Sequence, residues 1–451
     1  MAKAQKRKPV RAVLTAYVLA ITLGTFLLSL PVTTKSGVRT PLIDAFFTST
    51  SAVTVTGHQV VDTGTYFSPV GLAVIAFLIQ LGGLGIVSLT TFLSFVLAGK
   101  INLSARISTM AEIKIISTTS MQKVFYLVLT LYLVTELVIA LFLTGWFYTQ
   151  TETPLLESFG NGVFHAISAF NNAGFSTFQN GFVEHAHDFY LLLPVFIGVV
   201  IGGLGIPVLL DIRQYLINKA SNAKRRFVMS LHTRITLITT FLLGVFGAIF
   251  IGAVEWSNPG TLGGLTWWEK VFNSVFLSAS SRTAGFNTID INEMDPASWY
   301  GMDILMFIGG GSASTAGGIK VTTFAILMLI VYTEIRGEAA VNAGNRRLPR
   351  SIQRQALTIV TLSAFVIFAA TWLLLLTTDY SLDVVLFEVI SAAATTGLST
   401  GMPAELHEFG KILLSVLMFA GRLGTVAIAG ALALRATRRR YELPKERPLI
   451  G

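Results

Sequence analysis

The sequence has no cysteine among its 451 residues, which excludes disulfides, thiolate metal sites and cysteine nucleophiles. Charge is also scarce: Asp, Glu, Lys and Arg make up 13% of the chain against 53% hydrophobic residues, and the mean hydropathy is +0.67. So few charges cannot cover the surface of a soluble protein of this length, and the composition is that of a polytopic membrane protein. Carboxylates are nearly missing from the long apolar runs, so no acidic pair stands there to couple protons, and no carboxylate-rich metal or diphosphate motif is present. The net charge of +9 would suit nucleic acid, but the placement of the basic residues gives another reason for it.

Eight apolar segments are long enough to cross a bilayer, at roughly 12–31, 70–98, 124–147, 189–210, 235–254, 302–333, 355–377 and 411–434. The first follows Lys3, Lys6, Arg7, Lys8 and Arg11 as the core of a signal peptide would, but it has span length and no small-residue cleavage site, so it is expected to be a helix. The segments form four pairs. With both termini in the cytoplasm, 26 of the 33 Lys and Arg fall in cytoplasmic stretches, including Lys100, Arg106, Lys114 and Lys123, the run from Arg213 to Arg234, that from Arg336 to Arg354, and the tail from Arg435. The outer connections hold only Lys35, Arg39, Lys270, Arg282 and Lys411. This positive-inside bias accounts for the net charge without nucleic acid.

Each outer connection contains a stretch too short to span, as a re-entrant helix would be. Thr40-Pro41 and Thr153-Pro154 read as N-caps with first-turn prolines before Asp44 and Glu157, Thr266 to Glu269 as a capping box, and Ser381-Leu382-Asp383 as a weaker start. These helices are expected to end near Ser51, Ser168, Ser278 and Ser391, followed by Gly57, Gly174, Gly285 and Gly397. A second motif lies 24 to 28 residues later: Gly82-Gly83-Leu84-Gly85, Gly202-Gly203-Leu204-Gly205 and Gly421-Arg422-Leu423-Gly424, with a run from Gly309 to Gly318 in the third copy. The chain therefore reads as four repeats, 1–100, 101–220, 221–336 and 337–451. The expected fold is all-α integral membrane, with four parallel copies of span, re-entrant helix, span around one central pore.

A helix that enters halfway and returns as an extended strand leaves backbone groups unpaired, which a membrane tolerates only beside protein or water. Four such elements around an axis place carbonyls where they can replace the hydration shell of a cation. Helix C-termini aimed at the centre add partial negative charge. Small-residue packing between spans is the plainer reading of any single glycine.

The segments Val55-Thr56-Gly57, Asn172-Ala173-Gly174, Thr283-Ala284-Gly285 and Thr395-Thr396-Gly397, with their flanking residues, resemble the filter segments of the potassium transporter superfamily that contains TrkH, KtrB and plant HKT. The resemblance covers nearly the whole chain, and eight spans make it more KtrB-like than TrkH-like. It implies one potassium filter built from these twelve residues, with a glycine in every copy favouring potassium over sodium. It further implies a bacterial-type plasma membrane location, a homodimer with one pore per protomer, and a cytosolic RCK-type nucleotide-binding regulatory subunit. Sodium remains open as a coupling or activating ion, and no organic cofactor is implied. His58-Gln59 after the first glycine and one extra residue before Gly285 depart from the pattern.

The run Gly309-Gly310-Gly311-Ser312-Ala313-Ser314-Thr315-Ala316-Gly317-Gly318 has poor helix propensity, so its span is expected to break there. By resemblance it is the intramembrane loop that gates the pore; the alternative is a close helix-packing surface. Arg422 sits mid-span, where an intramembrane charge is a functional candidate. It either faces the pore below the filter and holds the closed state, or ties its helix to loop carbonyls. Lys320 is placed at the cytoplasmic cavity, and Arg282 is read as compensating its own helix terminus. Glu136 is either protonated or paired. His185 and His187 are read as an exposed loop, since two histidines alone do not make a metal site. A serine at Ser176 with a loop histidine as base leaves an intramembrane enzyme as the remote alternative.

Overall fold

The computed structural model describes residues 8–85, 121–221 and 228–434. The end of the second apolar segment, the basic residues Lys100, Arg106 and Lys114, and the tail from Arg435 lie outside the described residues. The chain runs in order through α1 (Lys8–Leu28), α2 (Leu42–Thr54), α3 (Pro69–Gly83), α4 (Met121–Gln150), α5 (Leu155–Asn171), α6 (Phe189–Leu204) and α7 (Ile206–Ala220). It continues through α8 (Leu231–Glu255), α9 (Trp267–Thr283), α10 (Pro296–Ile308), α11 (Val321–Ile335), α12 (Arg350–Leu375), α13 (Leu382–Ala394) and α14 (Glu408–Leu434). Between α11 and α12 a short hairpin pairs Asn342–Ala343 with Arg346–Arg347.

Among the described residues three helices are long and apolar enough to cross a membrane, 126–150, 231–255 and 350–375. Their outer faces carry exposed Phe, Leu, Ile and Val, as lipid-facing helices do. The bent pair α6 and α7 passes the same test together.

Helices α2, α5, α9 and α13 are the four expected short ones, and their second halves are buried. Their starts differ in part from expectation. Pro41 and Pro154 are themselves the N-caps, with extended ψ of 138° and 146°, so Thr40 and Thr153 stand one position too early to cap. At α9 the capping box forms as the sequence suggests, with the Thr266 N–H donating to Glu269 Oε2 at 2.8 Å. Lys411 on α14 reaches Asp44 in the first turn of α2 at 2.7 Å, joining the last quarter of the chain to the first.

The run at 309–318 breaks its segment as expected: α10 ends at Ile308 and α11 begins at Val321. A second break is a correction. The apolar segment 189–210 is not one straight helix, because α6 and α7 meet at Gly205 with a 102° bend. Gly205 has φ +94°, outside the helical range and open chiefly to glycine.

Candidate functional site

The site grows from how the four short helices end. In α2, α5 and α13 the residue after the helix is left-handed: Val55 at φ 55°, Asn172 at 58° and Thr395 at 51°. The next N–H then donates back to a serine carbonyl, Thr56 to Ser51 at 2.8 Å, Ala173 to Ser168 at 2.8 Å and Thr396 to Ser391 at 2.9 Å. These are Schellman turns built without glycine, at a cost of about 1–3 kcal/mol each for a non-glycine residue held there. Helix α9 ends differently. It continues to Thr283, Ala284 stays right-handed, and the Gly285 N–H donates to the Ser280 carbonyl at 3.2 Å.

The matching serine is therefore Ser280 rather than Ser278, and counted from it Gly285 stands five residues on where the other glycines stand six, so the turn after α9 is one residue shorter. Ser278 instead donates to the Gly244 carbonyl on α8 at 2.8 Å. The serine hydroxyls hold the segments in two ways. Ser51 and Ser391 each accept from the N–H of their glycine, Gly57 and Gly397, at 3.1 Å. Ser168 and Ser280 donate to the carbonyls just beyond, Phe175 at 2.7 Å and Phe286 at 2.6 Å.

The four glycines share one geometry. All have positive φ: Gly57 +95°, Gly174 +68°, Gly285 +73° and Gly397 +92°. A Cβ on Gly57 would lie 2.5 Å from the Ala173 oxygen, on Gly174 2.6 Å from Ala284, on Gly285 2.2 Å from Thr396, and on Gly397 2.0 Å from Thr56. Each glycine therefore rests on the carbonyl that precedes the next copy's glycine, and the fourth rests on the first. The contacts close into a ring, with four helix C-termini directed at it.

The second glycine motif packs against the same helices. A Cβ on Gly82, Gly202 or Gly421 would meet the carbonyl oxygen of Val53, Phe170 or Ala393 at 2.1, 1.8 and 2.1 Å, each one residue before its short helix ends. In the third copy Gly310 faces the Thr283 side chain instead.

The loop 309–320 sits against this assembly. Gly317 would place a Cβ 1.7 Å from the Ala394 oxygen, at the end of α13. The Asn172 amide is assigned from its network, with its nitrogen donating to Val199 O at 3.1 Å and Thr283 Oγ1 at 2.8 Å. Its oxygen then accepts from Gly203 N at 3.2 Å and from Thr315 Oγ1, in the loop, at 2.6 Å. Backbone bonds pin the loop to the α6/α7 break: Gly311 N–H to Gly203 O at 2.8 Å and Ile206 N–H to Ala313 O at 3.1 Å. Arg422 donates to the Thr315 carbonyl and, at 3.0 Å, to Gly82 O. Lys320 donates to the Ala316 carbonyl and lies 3.5 Å from that of Gly317. The loop thus touches groups from the second, third and fourth quarters of the chain, Arg422 links it onward to Gly82 in the first, and both cations bind its carbonyls.

The sequence matches the family model described as TrkH, cation transport protein, over residues 7–437. The chain belongs to this family. It is 35% identical over 447 residues to Ktr system potassium uptake protein D of Bacillus subtilis (strain 168), covering 99% of this chain and 98% of that one. It is 32% identical over 455 residues to the potassium/sodium uptake protein NtpJ of Enterococcus hirae, covering 99% and 98%. Its fold is similar to the crystal structure of the potassium transporter TrkH from Vibrio parahaemolyticus, with a TM-score of 0.71, 19% identity, and coverage of 96% of this chain and 85% of that one.

Within this TrkH-family chain several polar residues lie where sequence reasoning had not placed them. Glu136 on α4 is paired: it accepts from Gln80 Nε2 at 2.8 Å and Asn171 Nδ2 at 3.0 Å. Ser176 faces not a loop histidine but His165 of α5, whose Nε2 is 3.2 Å away and also accepts from the Thr177 N–H at 3.3 Å. With Nδ1 against the Asn161 carbonyl at 2.9 Å, the buried ring braces the stretch that follows Gly174. His185 is not simply exposed; it packs edge-on against Trp146 and at a tilt against Phe178, while His187 lies 3.3 Å from Glu269. Among the described residues no group of three His, Asp or Glu is placed to hold a metal ion. Arg282 bonds Ser278 O in its own helix and Thr240 O of α8. The largest omission is His58, fully buried beside an equally buried Glu388 at 2.9 Å.

Proposed function

We propose that the chain takes up potassium across a bacterial-type plasma membrane through a channel-like pore. The observation that carries this reading is the closed ring of Gly57, Gly174, Gly285 and Gly397, each resting on the next copy's carbonyl. Such a ring sets backbone oxygens at the meeting point of four helix C-termini, an environment that favours a dehydrated cation. Residues 55–57, 172–174, 283–285 and 395–397 then form the selectivity filter, with potassium held as cargo by their carbonyls. The loop 309–318 with Lys320 and Arg422 forms the gate, because it lies against the helix ends that carry the filter. The relative named as a Ktr system potassium uptake protein supports potassium as the ion.

In this reading the four quarters of the chain are the four repeats, each supplying two spans, and both termini face the cytoplasm. A homodimer and a cytosolic RCK-type nucleotide-binding subunit complete the system. A second reading, sodium-permeable or sodium-coupled transport, is favoured by the relative named as a potassium/sodium uptake protein.

The deciding experiment is cation flux into proteoliposomes containing the purified full chain, with potassium, rubidium and sodium compared. Potassium and rubidium flux well above sodium, abolished by Gly285→Ser, is the expected result. Equal sodium and potassium flux would favour the second reading, and flux indifferent to Gly285→Ser would remove the ring from the pathway.

A further inference from the structure

The position three residues before the bracing serine of each short helix is occupied by a different side chain in each quarter: Thr48, His165, Leu277 and Glu388. All four are buried, at 2% exposure or less. In the second quarter His165 contacts Ser176 and Thr177, two and three residues past Gly174. Glu388 does the same in the fourth, where Oε1 accepts from Ser399 Oγ at 2.8 Å, Thr400 N at 2.6 Å and Thr400 Oγ1 at 2.9 Å, two and three residues past Gly397. Leu277 offers no such bond, and Thr48 Oγ1 has no partner among the described residues. Bracing behind the ring is therefore alternate rather than fourfold.

Glu388 does more than His165. Its second oxygen, Oε2, is 2.9 Å from His58 Nε2, and His58 directly follows Gly57. One carboxylate thus holds the stretch beyond the fourth glycine and the stretch beyond the first, at the junction where Gly397 rests on Thr56. A buried carboxylate with four donors is rigidly held, and removal of one partner leaves a charge uncompensated.

We propose that Glu388, paired with His58, is a positioning residue that sets cation discrimination by fixing the fourth and first segments of the ring against each other. The inference rests on the reading of the ring as a potassium filter. Glu388 touches no ion; it holds the backbone that does. Filter carbonyls free to shift would accept the smaller sodium ion more readily.

The test compares potassium and sodium flux in proteoliposomes for the full chain and for Glu388→Leu, which places in the fourth quarter the residue the third already carries. The expected result is a fall of about tenfold in the potassium-to-sodium ratio, the equivalent of about 1.4 kcal/mol or one hydrogen bond. The conservative Glu388→Gln, which keeps an acceptor for Ser399 and Thr400, should recover most of the ratio. His58→Leu reads the pair from the other side and should also lower it, which keeps the test decisive should Glu388→Leu fail to fold. An unchanged ratio in intact His58→Leu and Glu388→Leu protein, with wild type selective, overturns the brace and leaves the filter standing. A wild type that does not discriminate overturns both.

Discussion

The Arg422 guanidinium bonds the Thr315 carbonyl, tying α14 to the loop that interrupts α10 and α11. A second bond to Gly82 O draws α3 into the same contact. Charge-assisted bonds of this kind contribute about 1.5–3 kcal/mol each. If the loop is the gate, Arg422→Ala should favour its open arrangement by about tenfold or more and raise potassium flux. Arg422→Lys, a point charge without the planar fork, should lie between the two. Flux and voltage dependence unchanged in Arg422→Ala would remove this residue from gating.

The Gln80–Glu136–Asn171 network makes a stability prediction. Glu136→Leu leaves the Gln80 amide donor facing an apolar side chain, while Asn171 keeps its bonds to Gln80 Oε1 and the Ile167 carbonyl. The orphaned donor costs about 1–3 kcal/mol, so a drop in thermal midpoint in detergent is expected. Glu136→Gln retains an acceptor and should lose much less. Equal midpoints for the two variants would show that the pairing contributes nothing.

Gly202 allows α6 to touch the Phe170 carbonyl. Any Cβ there must displace helix α5 or α6, and Gly202→Val should yield little folded protein. Size-exclusion chromatography after solubilisation is the direct measure; a monodisperse Gly202→Val at wild-type yield would contradict the close packing.

Gly205 carries the second break. Alanine would have to adopt φ +94° with Ser312 O 2.4 Å from its Cβ. The conformational part alone costs about 1–2 kcal/mol. Gly205→Ala should lower the thermal midpoint and alter flux together, because the same residue sets the bend and supports the loop. A change in stability with flux per folded protein unaltered would separate the bend from the loop.

The short helices and their glycines were legible in the sequence because the signal is local and repeated: a helix start, a serine, a glycine at nearly constant spacing. The break at 309–318 was legible for a similar reason, its composition. What escaped was set by contacts between distant residues. His58 looked like a departure from pattern because its partner stands 330 residues away. The bend at Gly205 was hidden because its apolar segment reads as one continuous span, and the loop packed against Gly205 comes from another quarter of the chain. Ser278 was preferred to Ser280 because counting residues cannot show whether the turn after a helix is one residue longer or one shorter than in the other copies. Glu136 could be marked as costly, but its partners lie on two other helices.

The ring also bears on how the protein is made. Gly397 rests on Thr56, so the circle stays open until the last quarter of the polypeptide has left the ribosome and met the first. A chain interrupted before that point holds at most three sides of the ring, with the Thr56 carbonyl lacking its glycine. If the ring is the filter, completion of synthesis and formation of the conduction path are a single event, and a half-made chain has nothing with which to select ions.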